Sequence, residues 1–187
     1  MAASNRVRSR QQSGKMAFCG LMVGLSTALM LAGGLIPVAT YCAPIYGGIL
    51  LLPILIEYGK RSAFTAYAAT TLISLMLSAD KEAAFFYLFI GCYPILKPSI
   101  DKLASRPLRI LIKLLFFNVS ILVMYALLAF VLGMRAVTSE FSQMGMLTLE
   151  VFIVAMNACM MLYDRLLISI SLLYVRKLRP RLRFLRR

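Results

Sequence analysis

The sequence contains no histidine. This absence excludes acid–base catalysis by imidazole, haem ligation by histidine and most zinc sites. The motifs G-x-S-x-G and H-E-x-x-H and the Walker lysine loop do not occur either. Acidic residues are scarce, seven in all, and no pair of them has a spacing suited to two-metal chemistry. The sequence therefore predicts a protein that is not an enzyme and that holds no metal or other cofactor.

Cysteine also offers no obvious site. Cys19, Cys42, Cys92 and Cys159 lie inside or at the edge of apolar segments, and no two are close enough in sequence to clamp a metal ion. We expect them to be small buried thiols.

Apolar residues are abundant instead. Of the 187 residues, 61% are hydrophobic and the mean hydropathy is +0.83, whereas roughly 45–50% is usual in a soluble domain. The sequence predicts one all-α integral membrane bundle of about six transmembrane helices, with a basic arm at 1–15, the transmembrane domain at 16–175 and a basic tail at 176–187. The helices are predicted at 16–37, 42–58, 62–78, from residue 83 to 100, 108–133 and 147–175.

The positive charges mark one side of the membrane. The formal net charge is +14, and if the N-terminus is cytoplasmic, only Lys81 and Arg135 of the 21 lysines and arginines lie outside, which leaves 19 inside. The positive-inside rule then predicts a multi-pass protein of the bacterial plasma membrane with both termini cytoplasmic. Basic ends on an apolar bundle need no nucleic acid to explain them, so no nucleic-acid partner is expected. The first helix ends without an A-x-A-like cleavage site, so it is predicted to be retained.

Proline positions predict two irregular helices. Pro44 and Pro53 lie within the second helix and should bend it, because proline removes a backbone donor. Pro94 and Pro98 lie near the end of the fourth helix and predict a kink there.

Small residues form a stripe along the first helix. Gly20, Gly24 and Ala28 recur every four residues, with Ala17 nearby, so they share one face. This face either packs inside the bundle or provides a docking groove for another membrane protein.

Candidate substrate contacts fall into two groups. The first lies at the predicted outer surface, where the tyrosines could equally be interface-belt residues and residues 80–82 could simply cap the fourth helix. The second lies near mid-membrane, is predicted to face the interior, and serves either interhelical hydrogen bonding or a substrate pocket. The outer group is Tyr41, Tyr46, Asp80, Glu82 and Tyr87, and the second is Asn118 and Asn157.

Four charged residues are expected at one depth, just inside the cytoplasmic face. Counting along the helices places Glu57, Lys97, Lys113 and Asp164 at this level. We expect the two acids and two bases to neutralise each other across helices two, four, five and six. The alternative is that Glu57 pairs locally with a neighbouring cation while both lysines snorkel.

The order of these features resembles the substrate-binding membrane subunits of energy-coupling factor transporters. The features are six spans with both ends inside, the small-residue stripe, a short second helix that begins YCAPIYGGILLLPILIEYGKR, and a basic cytoplasmic loop. The segment SADKEAAFFYLFIGCYPILKPSIDK also resembles a group of uncharacterised bacterial membrane proteins. The first resemblance implies a subunit that binds a micronutrient near its outer face and docks, through the stripe on helix one, onto a transmembrane subunit with two ATPases. Without histidine, a small organic solute is expected rather than a metal ion.

A second hypothesis needs no transport. The chain could be a membrane scaffold whose basic tail at 176–187 recruits a cytoplasmic partner or anionic lipid.

Overall fold

The computed structural model describes residues 2–34, 39–103, 105–131 and 146–181. All regular elements in these ranges are helical, which confirms the all-α prediction for this part of the chain. The helices are α1 (Ala2–Gly33), α2 (Ala39–Ile49), α3 (Leu51–Leu77), α4 (Lys81–Ile90), α5 (Tyr93–Ile100), α6 (Arg106–Val131), α7 (Met146–Leu173), a π-helical turn (Tyr174–Leu178) and α8 (Arg179–Arg181).

Several of these helices have the length and composition of membrane spans. Four described stretches qualify by themselves: Gln12–Gly33, Lys81–Ile100, Arg106–Leu127 and Ile153–Leu178. The pair α2 and α3, bent by 52°, raises the number to five if it is one span. These lengths and compositions are those of a helical membrane protein.

The basic arm is part of the first helix. Helix α1 begins at Ala2 and runs without interruption to Gly33. The arm contains no proline and several residues of good helix propensity, so the helix extends beyond the apolar segment. The segment after α6 and the end of the tail, residues 132–145 and 182–187, lie outside the described residues.

The prolines interrupt the helices where the sequence predicts. Pro44 lies inside α2, and the helix breaks at Leu50, three residues before Pro53. Pro53 then falls in the first turn of α3, where a missing backbone N–H leaves no hydrogen bond unmade. The fourth predicted helix is likewise divided, because α4 ends at Ile90 and α5 begins at Tyr93 with Pro94 in its first turn.

A glycine reverses the chain within α3. Gly59 has φ 80° and ψ −179°, a conformation that glycine adopts at little cost and other residues avoid. On one side of it, Tyr58 packs edge-on against Phe18 with ring centroids 5.8 Å apart. On the other side, Tyr67 donates to the carbonyl of Leu88. Gly59 lies at the boundary between the predicted helices 42–58 and 62–78.

Contacts along the helices define two ends of the bundle. Lys60 Nζ donates to Ser99 Oγ, and Lys81 Nζ donates to the carbonyl of Leu75 at 2.9 Å. The segment after Gly59 therefore runs antiparallel to α4 and α5. We call the two ends the Ser99 end, which carries Lys15, Tyr58, Lys60 and Ser99, and the Asp80 end, which carries Gly34, Tyr41, Asp80 and Glu82.

Two apolar cores hold the helices together. The first joins α1, α2, α3 and α4 around Met30, Ile54 and Tyr87. The second joins α4 and α5 to α6 and α7 around Met124 and Leu167. Because α4 contributes to both cores, it connects the two halves of the bundle.

Candidate functional site

A buried cluster of charges surrounds Asp164 of α7. Both oxygens of its carboxylate lie 3.0 Å from Lys113 Nζ of α6. Lys97 of α5 also donates to Oδ1, and the hydroxyl of Tyr93 donates to the same oxygen at 2.6 Å. One carboxylate therefore ties three helices together.

Asp101 makes the cluster electrically neutral. Its Oδ1 lies 2.7 Å from Lys113 Nζ, and its Oδ2 lies 3.3 Å from Lys97 Nζ. Each lysine thus contacts both aspartates. The lysine side chains are only 8% and 9% exposed, and charges at this burial are tolerated only when they are paired and hydrogen bonded. The arrangement can fix helices in place, and it offers no nucleophile and no separate acid and base.

The structure brings together three of the four residues predicted for this layer. Glu57 does not join them, because its Oε1 lies 3.0 Å from Nε of Arg179, after the π-helical turn. The expectation that Glu57 neutralises the lysines is therefore wrong. Counting along a helix gives the depth of a residue but not the direction its side chain takes around the helix axis. Asp101 was missed, although its position four residues after Lys97 is a recognised pairing signal.

The Asp80 end presents a tyrosine–glutamate pair. The hydroxyl of Tyr41 donates to Glu82 Oε1 at 2.6 Å. The Tyr41 ring packs edge-on against Phe86, with centroids 5.5 Å apart, and Tyr125 of α6 lies beside the same hydroxyl. Two predicted substrate contacts, far apart in sequence, therefore meet in one place. The pair offers a carboxylate, a phenol and aromatic faces to a ligand.

Asp80 has a structural role at this end. Its carboxylate accepts a hydrogen bond from the backbone N–H of Ala83 at 3.1 Å and so caps α4. This is the capping turn that the sequence offered as the alternative to a ligand contact. Glu82 follows in the first turn, where negative charge is favourable.

Of the other two tyrosines predicted at the outer surface, one is exposed and one is buried. Tyr46 is exposed on α2. Tyr87 is fully buried, with 0% exposure, so its predicted place at the outer surface is wrong. It lies six residues into α4 and packs beside the Tyr67 ring at a centroid distance of 5.9 Å. Gly47 leaves room for it, since a Cβ there would be 3.0 Å from the Tyr87 ring.

The interior also contains hydroxyls, some of which bond to backbone carbonyls. Ser26 donates to the carbonyl of Gly47 at 3.3 Å and so links α1 to α2. Thr27, Ser74 and Tyr163 have buried hydroxyl oxygens with no hydrogen-bond partner among the described residues. Such groups are the ones that bound water or a polar solute would satisfy.

Asn118 and Asn157 bond to each other across α6 and α7. Their side-chain amides exchange hydrogen bonds of 2.9 and 3.4 Å, and each also donates to the carbonyl four residues earlier at 2.8 Å. The prediction that both face the interior is wrong, because Asn118 is exposed and Asn157 half-buried. Since the two amides satisfy each other, neither needs an interior position. The geometry favours interhelical bonding over a shared pocket.

The small-residue stripe of α1 lies on an exposed face. Ala17, Gly20, Gly24 and Ala28 are all exposed. A Cβ at Gly20 or Gly24 would have no described atom within 4 Å, apart from the helix itself. In the described part of the chain, the stripe therefore does not serve internal packing. Helix α1 contacts its neighbours through other residues, including Phe18.

The cysteines are less buried than expected. All four thiols are free. Cys42 and Cys159 are exposed, and Cys19 and Cys92 are half-buried. In a bilayer, an exposed thiol on a spanning helix contacts lipid, so an apolar sequence context does not require burial in protein.

Three features of the structure are candidates for a functional site. The stripe on α1 and the Tyr41–Glu82 pair are exposed, and the Asp164 cluster is buried. The family resemblance seen in the order of features stays a prediction, because comparisons with protein-family models, with curated proteins and with solved structures give no match.

Proposed function

We propose that this chain is the solute-capture subunit of a multi-component micronutrient importer in a bacterial plasma membrane. In this proposal it binds a small organic solute at the Asp80 end and docks through α1 on a separate transmembrane subunit with ATPases. The observation that carries the proposal is the open small-residue face of α1, centred on Gly20 and Gly24.

Two properties of that face favour a helical partner over lipid. Other exposed faces of the bundle carry large side chains, such as Leu111, Leu115 and Leu122 of α6. Glycine within a helix costs about 1 kcal/mol relative to alanine, so two exposed glycines are unfavourable unless something uses the space. Helices in membranes associate through small residues of this kind, which allow close approach of the two backbones.

The proposed topology has six crossings with both termini cytoplasmic. The reversal at Gly59 supports this topology. The chain before Gly59 runs antiparallel to α1, from Gly47 beside Ser26 to Tyr58 beside Phe18. The chain after it runs parallel to α1, from the groove beside Lys15 to Asp80 beside Gly34. The Ser99 end, with Lys60 and the basic loop before α6, would face the cytoplasm. The Asp80 end would then face outward.

The Tyr41–Glu82 pair is the proposed solute contact. Binding sites for small organic molecules combine aromatic walls with a few well-placed polar groups. The Tyr41 and Phe86 rings supply the walls, and the Glu82 carboxylate supplies an acceptor for a donor or cationic group of the solute. The Asp164 cluster, deeper and neutral, holds α5, α6 and α7 in register below this contact.

The docking proposal is tested by co-purification from native membranes. Changing Gly20 and Gly24 to Leu fills the open face and is expected to abolish recovery of an ATPase complex. The matched control changes Ala155 and Ala158 to Leu, because these small residues lie on an exposed face of α7. The control is expected to retain the complex. Unchanged recovery with the glycine variant would contradict the proposal, and loss after deletion of residues 176–187 would favour the scaffold.

Solute capture is tested by mass spectrometry of small molecules that the purified protein retains. Wild type is expected to carry one organic solute, and Glu82→Gln and Tyr41→Phe are each expected to lower its occupancy. Asn118→Leu is the control, since the Asn118–Asn157 pair belongs to a different contact. Equal loss in all three variants, or a reporter fused after Arg187 that proves periplasmic, would contradict the assignment.

A further inference from the structure

A basic groove lies between α1 and α3 at the Ser99 end. Its volume is about 350 Å³. It is open to the surface rather than enclosed, so an extended ligand can enter from the side. The residues that line it are Lys15, Met16, Cys19, Arg61, Ser62 and Thr65.

The groove carries two positive charges that the described acids do not neutralise. Arg61 forms no hydrogen bond or ion pair with any described residue. Nζ of Lys15 lies 5.7 Å from the centroid of the Tyr58 ring, a cation–π contact that orients the lysine without cancelling its charge. An anion in the groove would therefore meet two free cations.

None of the acids in the described ranges lines the groove. Six of the seven have described side chains. Glu57 pairs with Arg179, and both aspartates of the buried cluster are shared between its two lysines. The remaining described acids are Asp80 and Glu82 at the Asp80 end and Glu150 near the start of α7.

The backbone near the groove adds to its preference for anions. The helix restarts after Gly59, so Lys60 and Arg61 lie in a first turn, where the helix dipole is positive. The hydroxyls of Ser62 and Thr65 donate to carbonyls within α3. The cations are therefore the direct partners of the anion.

The apolar part of the groove identifies the kind of anion. Met16, which lines the groove, is 76% exposed, and Phe64 is an exposed aromatic residue of α3 that directly precedes the lining residue Thr65. Gln12 begins the apolar span of α1, so Lys15 lies at its edge, at the level of lipid head groups. A free phosphate would leave the apolar surface unused, whereas an acyl chain would cover it.

We propose that this groove binds an anionic phospholipid of the inner leaflet, with the phosphate between Lys15 and Arg61 and an acyl chain against Met16 and Phe64. The site is separate from the basic tail and from the Tyr41–Glu82 pair. It rests on the proposed topology, in which the Ser99 end faces the cytoplasm, but it stands whether or not the protein belongs to an importer.

The test is a titration of the purified full-length protein in non-ionic detergent with dioleoyl phosphatidylglycerol, followed by native mass spectrometry. Lys15→Gln with Arg61→Gln is expected to weaken binding roughly thirtyfold, and Arg61→Gln alone roughly fivefold. Lys102→Met with Arg106→Gln is the control. It removes one lysine and one arginine from the same end of the bundle, but neither residue lines the groove.

The result that supports the proposal is a wild-type preference for phosphatidylglycerol over phosphatidylcholine that the control retains within about threefold and the groove variants lose. Equal weakening in control and groove variants would overturn it, since the effect would then be general surface attraction. Displacement of the lipid by inorganic phosphate, at an ionic strength where chloride does not displace it, would also overturn it in favour of a free anion. Because Arg61 is exposed and has no described partner, loss of folding cannot account for the result of its single variant.

Discussion

Asp164→Leu should be among the most damaging single changes in this bundle. The change leaves Lys97 and Lys113 buried, with only Asp101 to balance two positive charges. Lys113→Met instead leaves one negative charge in excess, but Asp164 stays paired with Lys97. The double variant removes one charge of each sign and retains the Lys97–Asp101 pair at 3.3 Å. Its cluster is neutral again.

The magnitudes follow from burial. Breaking a buried ion pair by removing one partner costs about 3–5 kcal/mol, and the lysines here are only 8% and 9% exposed. We expect this cost for Asp164→Leu, which leaves two buried lysines on one carboxylate. We expect about 1–3 kcal/mol for Lys113→Met, because the excess negative charge is shared with Asp101, whose side chain is 35% exposed to solvent. The double variant should be more stable than Asp164→Leu alone, with a coupling energy of about 2 kcal/mol.

The assay is reversible unfolding in mixed detergent micelles with increasing dodecyl sulfate, followed by far-ultraviolet circular dichroism. Glu57→Gln with Arg179→Gln is the control, and it should cost about 0–1 kcal/mol because that pair is partly exposed. A double variant that is no more stable than Asp164→Leu would refute the proposed pairing, as would strictly additive costs.

Two further predictions use the same assay. Gly91→Ala should destabilise the fold by about 1–3 kcal/mol, because the new Cβ would lie 2.6 Å from the carbonyl oxygen of Tyr87. Gly20→Ala is the control and should not destabilise the fold, because its Cβ would meet no described atom within 4 Å. Equal destabilisation by the two changes would contradict this prediction. Asn118→Leu should cost about 0.6 kcal/mol, and the same change at Asn157 should add little once Asn118 is gone; fully additive losses would exclude their hydrogen bond.

Sequence periodicity and charge were sufficient to predict the features that depend on local chemistry. The helical class followed from apolar segments in which every backbone group must be bonded internally. The interruptions near Pro53 and Pro94 followed from the missing proline donors. The cap of α4 by Asp80 could also be read locally, since a capping side chain bonds to a backbone group only three residues away.

Features that depend on the rotation and neighbours of each helix were not accessible in this way. Tyr87 was expected at the outer surface and is buried, whereas Asn118 was expected in the interior and is exposed. Hydrophobicity alone does not distinguish a lipid-facing position from a protein-facing one in a membrane. The separation of Glu57 from the lysines has the same origin.

The sequence by itself determined that this chain forms helices long and apolar enough to span a membrane, with interruptions near its prolines, because these properties follow from composition and from each residue's own backbone. Only the tertiary structure decided that Asp101 rather than Glu57 completes the charge cluster, that Tyr41 meets Glu82, and that the stripe on α1 lies open. Those outcomes depend on how helices distant in sequence are rotated against one another, and many rotations are compatible with the same pattern of apolar residues.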